Sequence, residues 1–161
     1  MKLTSSHGKR LFACITILSC FTFALYSHTL RAPFILDDYG KIVDNPDIKR
    51  IENLKTKLMY PYHSEYKNFN RNAPGRPVTF LSFTLNYHFG QLNPFGYHLV
   101  NILLHIFITC LIFLLTKRIL FSVFDRIFFM FPLFVSLFFS LHPLQTGAVT
   151  YIYKRTDLLA D

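Results

Sequence analysis

The sequence predicts an all-α integral membrane protein with three transmembrane helices. Of its 161 residues, 52% are hydrophobic, and the chain contains 19 Phe and no Trp. Such a phenylalanine content, combined with positive mean hydropathy, is unusual for a soluble domain and ordinary for a membrane protein. Long uncharged runs also separate the charged residues, and three of these runs define the helices.

The first uncharged run lies between Arg10 and Arg31 and predicts a transmembrane helix over about 11–30. Its length is about what an α-helix needs to cross the hydrocarbon of a bilayer. The basic residues Lys2, Lys9 and Arg10 would also suit a cleaved signal peptide. The long apolar core and the absence of a convincing A-x-A cleavage site favour an uncleaved anchor.

Two further uncharged runs predict the second and third helices. The run over about 95–116 is closed by Lys117 and Arg118, and its length suits a full crossing. The third apolar core, about 127–141, is shorter, but no charged residue follows it until Lys154. We therefore predict a third crossing there.

The basic residues set the expected orientation. Short segments rich in Lys and Arg stay on the cytoplasmic side of a membrane, so residues 1–10 and 117–126 are predicted to be cytoplasmic. The large first loop, residues 31–94, is then external. Residues 142–161 form a second external loop and the start of a next helix.

Two helices are expected within the external loop. The apolar residues of 48–59 recur at helical spacing, which predicts a short surface helix. In the following segment, Phe80, Phe83 and Tyr87 are spaced as i, i+3 and i+7. This pattern indicates an aromatic helix over about 77–90 that lies in the membrane interface.

A polar stripe runs along one face of the second predicted crossing. Burying imidazole and amide groups in lipid is costly, so this face should be turned toward protein or a hydrated cavity. Hydrogen bonds that hold packed helices together are the simpler interpretation of the stripe. Its members fall close together at 100° per residue: His98, Asn101, His105, Thr109 and Thr116.

The composition argues against some other classes of protein. The formal net charge is +8, but the basic residues form no continuous stripe, so nucleic acid is not an expected partner. Cys14, Cys20 and Cys110 all lie in apolar segments and are interpreted as small buried residues rather than a disulfide or a metal cluster. The spacing of the histidines matches no recognisable zinc pattern.

Four motifs occur in order over residues 34–160: "FILDDYGKIVDNPDI", "RPVTFLSFTLNYHFG", "NPFGYHLVNILLHIF" and "LHPLQTGAVTYIYKRTDLLA". Together they resemble the transmembrane and tetratricopeptide-repeat protein family, whose members look like C-type (GT-C) glycosyltransferases that use lipid-phosphate sugars. The resemblance implies that residues 1–161 are the N-terminal part of a GT-C-like membrane domain, without the family's repeats and inactive alone. Gln145 and "AVTYIYKR" are more similar to bacterial members, which implies a bacterial inner membrane, or the endoplasmic reticulum membrane in a eukaryote.

The resemblance also implies a catalytic base in the first external loop, at Asp37 or Asp38. A carboxylate there would accept the proton of an acceptor hydroxyl as its oxygen attacks the sugar. Two adjacent carboxylates could instead hold a divalent cation such as Mg²⁺ or Mn²⁺. A solvated turn or a helix cap is the structural alternative.

The phosphate of a lipid-linked donor requires positive charge, since charge grows on it as the bond to the sugar breaks. Each candidate also has a structural alternative. Arg76 could extend beside an interfacial helix, His142 could end the third helix, and Arg155 could pair with Asp157. The candidates for binding the lipid phosphate are Arg76, His98, His142 and Arg155.

The leading functional hypothesis is transfer of a mannose-like sugar from a polyprenyl-phosphate donor to Ser or Thr hydroxyls of an acceptor protein. The second is a non-catalytic membrane scaffold, or a truncated inactive product, in which the same motifs only pack the helices. The third is a fragment of a transporter that uses the two histidines of the polar stripe as a proton relay.

Overall fold

The computed structural model describes residues 2–52, 76–124 and 129–159, and its regular structure in these ranges is entirely helical. The predicted all-α class is therefore confirmed. The α-helices of the described ranges are α1 (Lys2–Tyr26), α2 (Pro77–Gly90), α3 (Pro94–Phe124), α4 (Met130–Leu141), α5 (Pro143–Thr150) and α6 (Arg155–Leu159). Short helical turns lie at Ser27–Arg31, Tyr39–Val43 and Ile152–Lys154.

Within the described residues, two helical segments are long and apolar enough to cross a membrane, His7–Arg31 and Pro94–Phe124. They correspond to the first two predicted crossings. The second helix does not end at residue 116, because "KRILFSVF" contains neither glycine nor proline and continues the helix to Phe124. The sequence pattern located the apolar part of this helix but not its end.

The third predicted crossing is a bent pair of helices. Helix α4 has 12 residues and is about 18 Å long at 1.5 Å per residue, too short to cross alone. It ends at Leu141, as predicted, with His142 as its C-cap, because Pro143 has no N–H to continue the helix and begins α5 instead. The two helices together are apolar enough to cross, with a bend of 61° between them.

The chain forms two compact units. The first consists of Met1–His28 and Ile102–Gly147, and the second of Thr29–Asn101 and Ala148–Asp161. Helix α3 contributes its first residues to the second unit and the remainder to the first. Each unit is thus built from two segments that are far apart in the sequence.

In the first unit, α1 packs against α4. The hydroxyl of Tyr26 donates to the backbone oxygen of Ser140 at 2.9 Å, and the hydroxyl of Thr22 lies 3.5 Å from that of Ser140. Hydroxyl groups therefore join two helices that are otherwise apolar. Cys20, expected to be buried, is exposed on α1 because it lies on another face of this helix.

At the other end of the first unit, one aromatic ring contacts both basic segments. The ring of Phe129 stacks on His7 at 6.2 Å between centroids, and the Nζ of Lys117 lies 5.3 Å from the centre of the same ring. The predicted topology requires residues 1–10 and 117–126 to share one end of the helices. These contacts bring one residue from each of the two segments to the same ring.

The second unit has a compact aromatic and aliphatic core, in which α2 packs by Phe80 and Phe83. The predicted helix over 77–90 is confirmed, but the expectation that these two rings face the membrane interface is wrong, since each is only 3% exposed. Helical spacing defines a face without showing what covers it. The core residues are Phe34, Ile42, Ile48, Phe80, Phe83, Tyr97 and Ile152.

The opposite face of α2 is apolar and exposed. Val78, Leu85 and Phe89 project on the side away from the core. Of the surface helix predicted over 48–59, residues 53–59 lie outside the described residues, and Ile48 belongs to a turn that packs into the core.

Candidate functional site

The turn at residues 34–40 follows the first membrane helix and is closed by its own hydrogen bonds. The backbone N–H of Asp38 donates to the oxygen of Ile35 at 2.9 Å, and the N–H of Ile35 donates to Asp38 Oδ2 at 3.0 Å. Between them, Leu36 has a φ of 47°. A left-handed conformation costs an L-residue about 1–2 kcal/mol, so this turn is strained.

Asp38 connects this turn to a second one. Its side chain is fully buried, and its Oδ1 accepts the backbone N–H of Tyr153 at 2.8 Å. Burial raises the pKa of Asp38 above its ordinary value, although the hydrogen bonds from Ile35 and Tyr153 oppose the shift. Both carboxylate oxygens therefore have a structural role.

Asp37 differs from Asp38 in being exposed. Its backbone N–H donates to the hydroxyl oxygen of Tyr151 at 2.9 Å. Burial raises the pKa of Tyr151, and the charges of Asp37 and Asp38 act in the same direction. The phenol is therefore neutral at pH 7, and its own O–H can donate toward a carboxylate or a ligand.

Sequence reasoning did not identify Tyr151 as a site residue. It lies in the motif "AVTYIYKR", but no spacing in the sequence relates it to a residue more than a hundred positions earlier. Its contact with Asp37 depends on the fold of the second unit. The structure therefore adds a phenol to the candidate site and separates two aspartates that the sequence could not distinguish.

Arg155 is fully buried, and its hydrogen-bond partners in the described chain are all neutral. The sequence placed this residue at the lipid phosphate, but its guanidinium is enclosed by protein and four of its five N–H donors are used. The bonds run from Nε to Asn101 Oδ1 (2.7 Å), from Nη1 to Ser82 Oγ (3.1 Å) and Asn86 Oδ1 (2.7 Å), and from Nη2 to the Tyr97 oxygen (2.9 Å).

The charge of Arg155 is retained in this enclosure. Burial lowers the pKa of Arg155 to about 9, which leaves the guanidinium protonated at neutral pH. Its carbon lies 4.5 Å from the centre of the Phe83 ring, close enough for a cation–π contact. The alternative pairing of Arg155 with Asp157 is not formed, because Asp157 pairs with Lys154 at 3.3 Å.

Asn101 connects Arg155 to the turn that carries Tyr151. Its Nδ2 lies 3.3 Å from the oxygens of Val149 and Tyr151 and 3.4 Å from that of Ile152, while its Oδ1 accepts from Arg155. One side chain on α3 thus fixes the backbone that begins the 151–154 turn. The amide of the polar stripe is a structural group here.

The remaining phosphate-binding candidates have different environments. His98 is buried, and its Nε2 lies 3.2 Å from the backbone oxygen of Ala32. His142 is half-buried, and its Nδ1 accepts the N–H of Leu144 at 3.3 Å, at the beginning of α5. Arg76, at the beginning of α2, is exposed. Of these three, Arg76 alone presents an exposed permanent charge.

The prediction that the polar stripe faces protein is confirmed for four of its members, which are buried: His98, Asn101, His105 and Thr109. His105, in the first unit, packs against the rings of Tyr26 and Phe139, at centroid distances of 5.3 and 5.6 Å. Neither nitrogen of its ring has a hydrogen-bond partner of standard geometry, although the backbone of Ser140 interacts with the ring.

The side chains of this site do not fit a divalent cation. Mg²⁺ and Ca²⁺ need several oxygen ligands, and each oxygen of Asp38 already accepts a backbone N–H in a buried position. Asp37 then remains as a single carboxylate. Within the described ranges, no three His, Cys, Asp or Glu side chains come together to hold a metal.

The chain is similar to animal proteins named protein O-mannosyl-transferases. It is 35% identical to Tmtc1 of Drosophila melanogaster over 98% of its length, 31% identical to human TMTC3 over 91%, and 33% identical to F38B6.6 of Caenorhabditis elegans over 90%. These alignments cover 18%, 15% and 21% of the relatives. No protein-family model and no solved structure matches the chain.

These relatives bear on two expectations from the sequence, the family and the bacterial origin. They agree with the resemblance to the transmembrane and tetratricopeptide-repeat family. All three are animal proteins, so they do not support a bacterial origin or a bacterial inner membrane. The chain is similar to these three proteins over almost its whole length, and it spans about a fifth or less of each of them.

Proposed function

We propose that the chain is the N-terminal part of a membrane glycosyltransferase. The enzyme would move a mannose-like sugar from a polyprenyl-phosphate donor to Ser or Thr hydroxyls of a protein. The names of the relatives support the reaction and the sugar. The observation that carries the proposal is the exposed Asp37 beside the hydroxyl of Tyr151, in a turn that directly follows a membrane helix.

In this reaction Asp37 is the base. Its carboxylate accepts the proton of the acceptor hydroxyl as the oxygen attacks the anomeric carbon. The bond between that carbon and the phosphate oxygen breaks, and the phosphate leaves with the electron pair. A single base suffices, because the leaving group carries its own charge. Tyr151, a neutral phenol, donates a hydrogen bond that orients the carboxylate, and Asp38 holds the turn.

The exposed guanidinium of Arg76 is our candidate for binding the donor phosphate. Arginine binds phosphate oxygens through two parallel hydrogen bonds and stabilises the negative charge that grows on them. We place the 31–94 loop in the lumen of the endoplasmic reticulum. The animal relatives favour this location over a bacterial periplasm.

A scaffold is the second candidate function, and the packing of the motif residues favours it. Asp38, His98 and Arg155 come from three of the four motifs, and all three are buried and hydrogen-bonded within the second unit. The motifs could therefore have been selected for this fold. In that case Asp37 and Tyr151 would be dispensable for the function of the chain.

The test uses a chimera in which this chain replaces the matching segment of the Drosophila relative. Transfer of labelled mannose from polyprenyl phosphate to an acceptor protein is measured in membranes. Asp37→Asn is expected to lower the rate about 10²–10⁴-fold, the usual contribution of a positioned base. Its abundance and thermal stability should not change, because the Asp37 side chain is exposed.

Asp38→Asn is the matched control. It should reduce stability, since an amide cannot accept two backbone N–H groups with two oxygens, and activity should fall only in proportion to the folded fraction. Tyr151→Phe should lower the rate less than Asp37→Asn. Normal transfer by the Asp37→Asn chimera would remove the catalytic proposal and leave the scaffold.

A further inference from the structure

The turn at residues 34–40 directs two apolar side chains away from the protein. Ile35 is 45% exposed and Leu36 is 79% exposed. Leu36 also has a φ of 47°, a conformation that favours glycine or asparagine. In a turn surrounded by water, a leucine at this position is unfavourable for two reasons. Its positive φ is strained, and its apolar side chain is exposed to solvent.

The hydrogen bonds of the turn fix this conformation. Ile35 and Asp38 exchange two bonds, Tyr39 N–H donates to the oxygen of Leu36 at 3.3 Å, and Asp37 N–H is held by Tyr151. A strained residue persists where its surroundings over-determine it, and such residues concentrate at functional positions. The direction of the two apolar side chains is therefore a fixed property of the fold.

The turn lies close to the end of a membrane helix. The helical segment that can cross the bilayer ends at Arg31. An extended chain spans at most about 3.6 Å per residue, so the Cα atoms of Arg31 and Ile35 are within about 14 Å of each other. The headgroup region of a bilayer extends some 5–8 Å beyond each side of the hydrocarbon. Arg31 itself is exposed and suited to contact lipid phosphates.

We propose that Ile35 and Leu36 insert into the interfacial layer of the bilayer and hold the turn at the lipid surface. Lipid is the occupant because only a few residues separate the turn from the end of the membrane helix, and none of the residues before Asp37 is acidic. The insertion would place Asp37 level with the lipid headgroups, at the depth where a membrane-anchored phosphate lies. This inference concerns the position of the turn and does not depend on sugar transfer.

The absence of tryptophan from the chain allows a direct measurement. Leu36→Trp and, as a control, Asp44→Trp are each reconstituted into bilayers, so that one tryptophan reports one position. The Leu36 probe should emit at shorter wavelength and be quenched most by lipids brominated near the headgroup. The Asp44 probe, on an exposed polar residue of the same unit, should be quenched little. Equal quenching of the two probes would overturn the proposal.

A second measurement avoids the large indole ring. Leu36→Cys and Asp44→Cys are made after Cys14, Cys20 and Cys110 have been replaced by alanine, and both are treated with a charged maleimide in bilayers. The thiol at 36 should react several-fold more slowly than that at 44, and both should react equally after denaturation. Equal rates in the bilayer would overturn the insertion. Protection that appears only after addition of an acceptor protein would assign the surface to that protein instead.

Discussion

The Nε of Arg155 donates to the Oδ1 of Asn101 at 2.7 Å, across 54 positions of the sequence. The partners of this buried cation in the described residues are amide, hydroxyl and carbonyl oxygens rather than a carboxylate. An isolated buried charge is costly, so the dipoles around it must be well oriented. The second unit therefore depends on a complete set of hydrogen bonds.

Replacing Arg155 with Met should destabilise the second unit by about 3 kcal/mol or more, because several buried acceptors would lose their donors. Thermal unfolding in detergent would measure the loss. The matched control is Lys154→Met on the neighbouring exposed residue, whose surface ion pair contributes roughly 0–1 kcal/mol. Similar effects of the two changes would mean that the hydrogen bonds of Arg155 add little.

Asp38 should make stability depend on pH in a defined direction. Its folded pKa lies above the ordinary value of 3.8, so between these two values the folded protein keeps a proton that the unfolded chain has released. The stability that this pKa shift contributes is fully present below pH 3.8 and is lost as the pH rises through the folded pKa. Relative to Asp38→Asn, the wild type should gain stability as pH falls from 7 toward 4, measured by denaturant unfolding. The opposite slope would contradict the shift.

His105→Leu should preserve or increase stability, by up to about 1 kcal/mol, because the substitution removes two buried nitrogens that lack partners of standard geometry. Phe107→Leu, on a residue that is 60% exposed, is the control and should change stability by less than about 0.5 kcal/mol. The measurement is the unfolding midpoint in detergent. A clear loss at His105 would show that the backbone of Ser140, water or a ligand satisfies the ring.

Leu36→Gly should stabilise the chain in detergent by about 1 kcal/mol, since glycine adopts a positive φ without the steric cost that leucine incurs. A glycine in place of Phe89, which is also exposed but lies on a helix, should destabilise instead. Thermal melts of both variants would test this. Destabilisation by Leu36→Gly would mean that contacts of the leucine outweigh its strain.

The topology can be tested by labelling single cysteines in sealed membranes with an impermeant reagent. Asp44→Cys should be accessible from the external side and Ser122→Cys from the cytoplasmic side, because residues 117–126 are rich in basic residues. Both positions lie in described parts of the chain. The reverse pattern would invert the orientation and place Asp37 in the cytoplasm.

The sequence predicted the helices well because runs of apolar residues record the thickness of a bilayer directly. It also predicted the end of α4 at residue 141, where the apolar core stops, and the missing N–H of Pro143 is a local cause of that end. It failed where the answer depends on distant segments. Phe80 and Phe83 have the spacing of a membrane-facing stripe, but Ile42 and Ile152 cover them, and no local pattern records that contact.

The candidate site also depends on contacts between distant segments, which the sequence does not show. Arg155 is a candidate for binding phosphate because of its residue type. Only the fold shows that Asn101 and Asn86 enclose it. The adjacent aspartates are chemically identical in the sequence. They differ because the N–H of Tyr153 reaches Asp38, and Asp37 remains in solvent.

The assembly of the second unit from two distant segments imposes an order on its biosynthesis. The ribosome makes residues 29–101 first, and the closing segment 148–161 follows only after most of α3, α4 and α5. During that interval Phe80 and Phe83 lack Ile152, and Asn101 lacks Arg155. A chain interrupted before residue 148 would therefore expose an apolar surface of the kind that chaperones bind and that promotes aggregation.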